Sequence, residues 1–416
     1  SSIAVTLTSA TGAVFLFFNH FIWRKKMKSK REIAVLSTAM TKGLAALLMA
    51  FALVFGFASC SSDSDSEKEK VSASEPATNA LSSLKAVDGF SNVFTVEYDG
   101  EYYLSDAVDS NLKTASELLS YLTKKIPAWK TAKESGAPLT INVSGAACSS
   151  IVAENATAGT SGYIYGRNFD WAEGSAIIVH TRPDNAYESV STCYLGFITN
   201  DPEWTPTSDA EHDAVALGSI YVPMDGMNEK GLYIANLQND TEPTMQSAEG
   251  KKYVQTTVAI RYVLDKAATV EEALSFLKGI NMCAVYAEDP EMVDYHFAIA
   301  DNSGKSVVVE WIDGEMKTVE SKIVTNHSLV NQHDDTDHGT FRRFESLKAE
   351  GEAANWKMTS SQIAASLEKV QQKHSVWSAV FEPGAKRITY YFRKASITDE
   401  NKSTPIDYTK PVVVQF

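Results

Sequence analysis

Cys148 raises the first chemical question in this chain. It stands in SGAACSSIVAEN, behind the small residues Gly145, Ala146 and Ala147 and ahead of a β-prone run, in a chain of 416 residues with four cysteines. A thiol there is either a nucleophile or a small buried hydrophobe, since free cysteine is among the most buried residue types. Nothing like CGSCW surrounds it, which makes a papain-like protease the poorer reading. Other motif-borne chemistry is missing: there is no P-loop, no GxGxxG and no HExxH. The eight histidines show no metal-ligand spacing beyond HDDTDH (His333 and His338), which reads as a polar loop. Neither a metal nor a cofactor is therefore expected. Cys193 and Cys283 read as core thiols, with a disulfide between them as the alternative outside the cytoplasm. His180 and His296 fall in strand patterns and read as structural.

Composition narrows the partner classes. The hydrophobic fraction is 44% and the charged fraction 22%, an ordinary globular balance. The formal net charge is -14 and the isoelectric point about 5.1. That argues against nucleic acid, whose binding rests on Lys and Arg neutralising phosphates. Apolar, neutral and cationic ligands remain open, as does self-association.

The first 60 residues read as a targeting region and stand outside the fold. From Met40 the chain runs MTKGLAALLMAFALVFGFASC, a lysine, a long apolar stretch and small residues before Cys60. This resembles a bacterial lipoprotein signal, with Phe57-Ala58-Ser59-Cys60 as the lipobox and Cys60 as the acylated residue. Such an anchor implies a membrane-tethered protein at the outer-membrane surface or in the periplasm of a Gram-negative cell. The alternative is a spanning helix over 43–59, near the lower length limit. Residues 1–39 hold a second apolar stretch with a basic flank; an upstream translated region, with Met27 or Met40 as the start, or a membrane segment would explain it. Residues 61–80, rich in Ser, Glu and Ala, read as a flexible acidic linker.

The elements that must position Cys148 follow from periodicity. NVFTVEYDGEYYL reads as a hairpin turning at Asp99-Gly100. TASELLSYLTKKIPAWKTAKES reads as helical, with its apolar residues on one face. CSSIVAEN and GYIYGRNFDW read as a hairpin across the loop ATAGTS. SAIIVHTRP, STCYLGFIT and GLYIANLQ are further strands. YVQTTVAIRYVLDKA and VEEALSFLK are helices, the second with a capping box at Thr269 and Glu272 and a stop at Gly279. YHFAIADNSGKSVVVEWIDGEMKTVE reads as strands, TSSQIAASLEKVQQ as a helix and VWSAVFEPGAKRITYYFRK as a hairpin. Strands, a helix pair, then strands indicate an α+β layered fold.

Five blocks in order, CSSIVAEN…YGRNFDW, PMDGMNEKGLYIANLQ, IVTNHS, FRRF and VWSAVF, resemble the N-terminal-nucleophile hydrolases of the choloylglycine hydrolase and acid ceramidase group. That group includes bile salt hydrolases, penicillin V acylases, N-acylethanolamine acid amidases and acid ceramidases. The resemblance runs from Cys148 to about Arg393. It implies an αββα sandwich of two stacked, mostly antiparallel sheets flanked by helices, with 81–416 as one folded domain. Residues 81–147 would be a small subunit or pro-segment and 148–416 the catalytic subunit. A structured piece before the cysteine is more like the ceramidase and acid amidase branch.

The resemblance implies a site. Cleavage of Ala147–Cys148 would place a thiol nucleophile and a free α-amine, the base, on one residue. The amine's reference pKa of about 7.7–8.0 suits that role. Arg167 would favour the thiolate, and Asp170 would hold the amine. An ideal strand points Arg167 and Asp170 to opposite faces, so a bulge or strand end at Asn168-Phe169 is expected. Asn326 would be an oxyanion donor. The second donor would be Gln238, or Asn236 one strand step away. Arg343, with Arg342 as fallback, would steady the site. The aromatic and Met residues of LGFITNDPEW and YVPMDGM either line an acyl pocket or pack the core. The implied activity is hydrolysis of N-acyl amides with an apolar acyl group, fatty-acyl amides of small amines or amino acids ahead of bile acid conjugates or penicillin V. The other function class is a non-catalytic surface lipoprotein that captures apolar ligands with the same fold.

Overall fold

Alternating and continuous apolar runs build two large sheets and a small parallel two-stranded one among the described residues. The computed structural model describes residues 76–143, 147–171, 174–239, 246–283, 295–331, 339–394 and 405–416. The targeting region with Cys60, most of the linker, and the pair His333 and His338 lie outside the described residues. A helix, Pro76–Ser83, begins inside the stretch read as linker and is pinned by the wholly buried Ala80.

In chain order the first strands are β1 (Lys85–Ala86), β2 (Val93–Asp99), β3 (Ala147–Asn155), β4 (Tyr163–Asp170), β5 (Ala176–Arg182) and β6 (Ser189–Tyr194). Next come β7 (Asp225–Asn228), β8 (Tyr233–Gln238), β9 (Tyr253–Gln255), β10 (Asn281–Cys283), β11 (Tyr295–Ala300) and β12 (Ser306–Ile312). The last are β13 (Glu315–Glu320), β14 (Ile323–Val324), β15 (Lys357–Met358), β16 (Ser375–Glu382), β17 (Arg387–Phe392) and β18 (Val412–Gln415). The first sheet runs β1-β2-β5-β6-β7-β8-β11-β12-β13; the second runs β14-β3-β4-β16-β17-β18, with β15 also on β3. All pairs in the first sheet are antiparallel except β2 with β5.

The sheets stack face to face. Tyr165 of β4 stacks on Tyr233 of β8 with ring centroids 5.2 Å apart, and Thr192 of β6 donates to the Tyr390 hydroxyl of β17 at 3.0 Å. Helix Thr256–Lys266 lies against the first sheet with Val270–Lys278 packed on it, and Gly339–Ala353 and Ser360–Lys369 lie against the second. This is the expected αββα layering. The second sheet and its helices come close: a Cβ at Gly166 would lie 2.6 Å from Ile363 Cγ2 and 2.9 Å from Ile151 Cγ2.

Residues 76–143 are woven into this fold. Val93, Val96, Leu118, Leu122 and Trp129, all wholly buried, share one apolar core with both sheets. Asp99 and Gly100 end a strand but do not turn a hairpin. β2 pairs with β5 in parallel, and the chain enters a helix at Leu104–Asp109. The tertiary reason is a buried anchor: the Tyr102 hydroxyl donates to Asp265, whose other oxygen accepts from Arg261 at 3.1 Å. The single helix expected at 114–135 is two, Ala115–Lys125 and Pro127–Glu134, because Pro127 cannot continue the first. After β6 the run read as strand becomes a short helix, Gly196–Thr199. Cys193 and Cys283 are buried free thiols, so the disulfide alternative is set aside.

Candidate active site

Cys148 is the second residue of β3, and three elements converge on it. β4 pairs with β3 so that Ala147 faces Asp170, Cys148 faces Phe169 and Ser150 faces Arg167. β14 pairs with the same strand, Val324 opposite Ser150. Two residues beyond Val324, the chain therefore delivers Asn326 beside Cys148. Helix Gly339–Ala353, not anticipated as an element, carries Arg343 over the start of β3.

On the side-chain face, the Cys148 thiol is fully buried and faces the first sheet. Arg167 Nη2 lies 3.3 Å from Sγ and donates to the Asn236 carbonyl at 2.7 Å. The thiol faces that same carbonyl at 3.8 Å. Arg167 Nε donates to Asp225 Oδ2 at 2.7 Å, and Trp377 Nε1 donates to the same oxygen at 3.0 Å. Phe169, next to Cys148 in the ladder, stacks on Trp377 with centroids 3.9 Å apart.

On the main-chain side, the Cys148 N–H donates to Asn326 Oδ1 at 2.7 Å. Arg343 Nη2 donates to that oxygen at 2.8 Å, and its Nη1 donates to the Cys148 carbonyl and, at 2.7 Å, to Ser149 Oγ. Asn326 Nδ2 donates to the Gln238 carbonyl at 2.8 Å. Asp170 Oδ1 accepts from the Ser375 hydroxyl. Its Oδ2 is buried, has no hydrogen-bond partner and sits 3.8 Å from Arg343 Nη1.

The expected bulge at Asn168-Phe169 is absent from the β3–β4 ladder, whose register is continuous. It is not needed. Arg167 and Asp170 do point to opposite faces: the guanidinium meets the Cys148 thiol, and the carboxylate lies 3.8 Å from Arg343, which holds the Cys148 carbonyl. The irregularity lies instead in β16, between Ser375 and Trp377, and sets Ser375 opposite Asp170.

Burial governs the electrostatics. It pushes the Cys148 thiol up to about 11, aided by Asp170 and opposed by Arg167 and Arg343. It raises Asp170 above the ordinary carboxyl range against the pull of Arg343 and Ser375, and Asp225 against that of Arg167. Arg167 stays a cation because Cys148 and Asp225 outweigh its own burial. Two arginines and two carboxyls thus surround the cysteine, so the buried charges are matched. Among the described residues, no group of three or more His, Cys, Asp or Glu is arranged to hold a metal ion.

Of the anticipated residues, Ala147, Cys148, Arg167, Asp170, Asn326 and Arg343 converge, and Arg342 is exposed. Gln238 and Asn236 touch the cluster through their carbonyls, which are acceptors; neither side-chain amide is shown donating into it. Phe197 packs edge-on against Phe169, centroids 6.3 Å apart, while Trp204 and Met224 are buried in the core. The backbone N–H of Asn142 donates to the Phe197 carbonyl at 2.8 Å, so the segment before the cysteine lies along this wall. Asp225, Trp377 and Ser375 were missed as functional. A carboxylate inside the apolar stretch YVPMDGM was the available signal for Asp225, since a buried charge demands a partner.

The chain's sequence matches the profile of the linear amide C-N hydrolases, choloylglycine hydrolase family, over residues 148–355. It is 32% identical over 117 residues to a penicillin V acylase of Pectobacterium atrosepticum, covering 26% of this chain and 31% of that protein. It is 31% identical over 114 residues to a bile salt hydrolase/transferase of Clostridium perfringens, covering 26% of this chain and 35% of that protein. The chain thus spans about a third of the length of the curated relatives it matches. A crystal structure of conjugated bile acid hydrolase from Clostridium perfringens aligns with a TM-score of 0.43 and 15% identity, over 65% of this chain and 97% of that one. With half of the chain under the family profile, beginning at the cysteine around which the site is built, this protein belongs to the choloylglycine hydrolase family of linear amide C-N hydrolases.

Proposed function

We propose that this protein hydrolyses the C–N bond of N-acyl amides with Cys148 as an N-terminal nucleophile, after cleavage of its own Ala147–Cys148 bond. The observation that carries the reading is the two-sided setting of Cys148: a cation on the thiol, and on the main-chain side Asn326 accepting from the N–H and Arg343 holding the carbonyl, with the unsatisfied buried Asp170 oxygen 3.8 Å from Arg343. Cleavage turns that nitrogen into an α-ammonium, and Asp170 Oδ2 then gains a charged partner. The segment 81–147 becomes the small subunit and 148–416 the catalytic one.

In the reaction, the α-amine takes the thiol proton and the thiolate, held beside Arg167, attacks the substrate carbonyl carbon. Asn326 Nδ2 donates to the resulting oxyanion, with Gln238 or Asn236 as second donor. The C–N bond breaks as the α-ammonium returns its proton to the leaving amine, which leaves a thioester. The amine then deprotonates a water, which attacks the thioester; the acid departs and Cys148 is restored.

Edman sequencing or intact mass of the purified protein is expected to find a fragment starting at Cys148. Cys148→Ala is expected to remain whole and inactive, and Cys148→Ser to cut slowly. A whole chain with full activity overturns the reading, as does a cut, active Cys148→Ala variant.

For the substrate, we infer an apolar acyl group, fatty-acyl amides ahead of bile acid conjugates. Two features support the order: the structured piece before Cys148, and Gln238 where bile salt hydrolases carry asparagine. Burying an acyl chain contributes about 0.8 kcal/mol per methylene, so kcat/KM is expected to rise with chain length until the site is full. A series of acyl lengths beside taurine- and glycine-conjugated bile acids and penicillin V tests this; a win for the bile acids or for penicillin V reverses the order. A protein that is cut, binds these compounds and turns none over is instead a ligand-capturing lipoprotein. We also infer that Cys60 is acylated and tethers the chain to the cell envelope. Cys60→Ala is expected to release the protein from membrane fractions or stall its processing.

A further inference from the structure

We propose that His296 and Glu310 are positioning residues that set the Asn326 amide from the opposite sheet; the role rests on the reading of Asn326 as oxyanion donor. Past Val324 the chain leaves the second sheet, so the turn that carries Asn326 is no longer held by the β14 ladder. The first sheet reaches across and holds it at both ends. His296 of β11 meets the Thr325 carbonyl through Nε2 at 2.7 Å, and its Nδ1 lies 3.3 Å from Glu310 Oε1 of β12. The Glu310 carboxylate accepts from the Ser328 hydroxyl at 2.5 Å and from the backbone N–H groups of Leu329 at 2.7 Å and Val330 at 3.2 Å. One residue before Asn326 and three just after it are therefore tied to a single side-chain pair.

Both side chains are 0% exposed. Burying an imidazole and a carboxyl solely for stability is a poor device, since an apolar pair of similar volume is often as stable or more so. Burial works against the Glu310 charge, yet His296, Ser328 and the Leu329 amide hold this carboxyl below its usual range. Beyond each other, His296 and Glu310 bond to residues 325–330: the Thr325 carbonyl, the Ser328 hydroxyl and the Leu329 and Val330 amides. The pair also fixes Asn326 relative to β8 of the same sheet, whose Gln238 carbonyl takes one Nδ2 hydrogen. The amide is thereby placed, and a misplacement of about 1 Å at such a group costs on the order of a hundredfold in rate.

The test uses the cleaved enzyme with a chromogenic fatty-acyl amide and compares His296→Leu, His296→Gln, Glu310→Gln, Asn326→Ala and the double variant His296→Leu/Asn326→Ala. Thermal melts monitor folding. His296→Leu is expected to lower kcat by about ten- to a hundredfold with little change in KM. His296→Gln, which keeps a donor for the Thr325 carbonyl, is expected to recover most of it. The double variant should be no slower than Asn326→Ala alone, because His296 acts through Asn326. An unchanged kcat in His296→Leu with Asn326→Ala impaired overturns this proposal alone, and so does a double variant in which the two losses multiply. An unimpaired Asn326→Ala overturns the oxyanion reading itself, and this proposal with it. If His296→Leu does not fold, Glu310→Gln answers the same question, with the same loss of kcat at unchanged KM expected and an unchanged kcat overturning the proposal.

Discussion

The start of β3 gives the two sides of Cys148 different surroundings: Arg167 beside the thiol, and Asn326 on the main-chain N–H, the nitrogen that the proposed cleavage would make an amine. In the uncut chain the thiol is a resting group, pushed up to about 11 by burial. Its alkylation by iodoacetamide is therefore expected to climb with pH until about 11, read on the peptide spanning Ala147–Cys148, which exists only in uncut molecules. Midpoint reactivity near 9 would contradict it. The same shift enters stability. A folded value of about 11 against an ordinary 9.0 means that the folded chain keeps a proton which the unfolded chain releases. The contribution is fully present below about pH 9 and lost as pH rises towards 11, a fall of roughly 3 kcal/mol over that window relative to Cys148→Ala. Denaturant titrations of the two uncut proteins at several pH values would measure the difference. Asp225 is the second residue-scale case. It is the buried counter-ion of Arg167, so Asp225→Ala is expected to cost about 3–5 kcal/mol by leaving a buried cation unpaired. Asp225→Asn should keep more of that stability while lowering kcat/KM, because the guanidinium loses the partner that aims it at the thiol.

At the scale of elements, the site depends on how closely the second sheet and its helices approach. Gly166, one residue before Arg167, admits Ile363 from helix Ser360–Lys369 into the space where a side chain would stand. Gly166→Ala is expected to destabilise by about 1–3 kcal/mol through overpacking and to shift β4 against that helix. Thermal melts and kcat/KM together would show both effects, and a silent substitution would mean that the helix yields freely. The helix with Arg343 shows what sequence reading loses at this scale. FRRF was legible as a motif, yet which arginine entered the site depended on the turn of a helix that periodicity had not revealed. Arg343 falls on the face towards β3 and Arg342 on the solvent face, as successive residues of a helix must diverge.

For the whole molecule, the leading segment is part of the fold it precedes. β2 is hydrogen-bonded into the first sheet beside β5, Trp129 fills the space over Gly218, and Tyr102 ends in the buried Arg261–Asp265 pair. After cleavage at Ala147–Cys148, the two fragments are expected to co-elute in native size exclusion and to separate only in denaturant. Dissociation on cleavage under native conditions would contradict this. Tyr102→Phe should weaken the association, because the buried Asp265 loses a donor.

The order of blocks along the chain determined by itself the family, the cysteine, and Arg167, Asp170, Asn326 and Arg343 as its companions, because each sits in a short local pattern. Strand and helix identities in the long periodic runs were legible for the same reason. What only the tertiary structure decided involves partners distant in sequence. β2 became a parallel strand because β5, more than seventy residues on, offers it a ladder and the core beneath it. The expected bulge is absent because Arg167 and Asp170 reach partners on opposite faces of β4, the thiol on one and Arg343 with Ser375 on the other. Asp225, Trp377, Ser375, His296 and Glu310 became part of the site or its support through bonds across the sandwich or between neighbouring strands. Such bonds depend on which faces the stacked sheets turn towards each other, and that is settled only when the core closes.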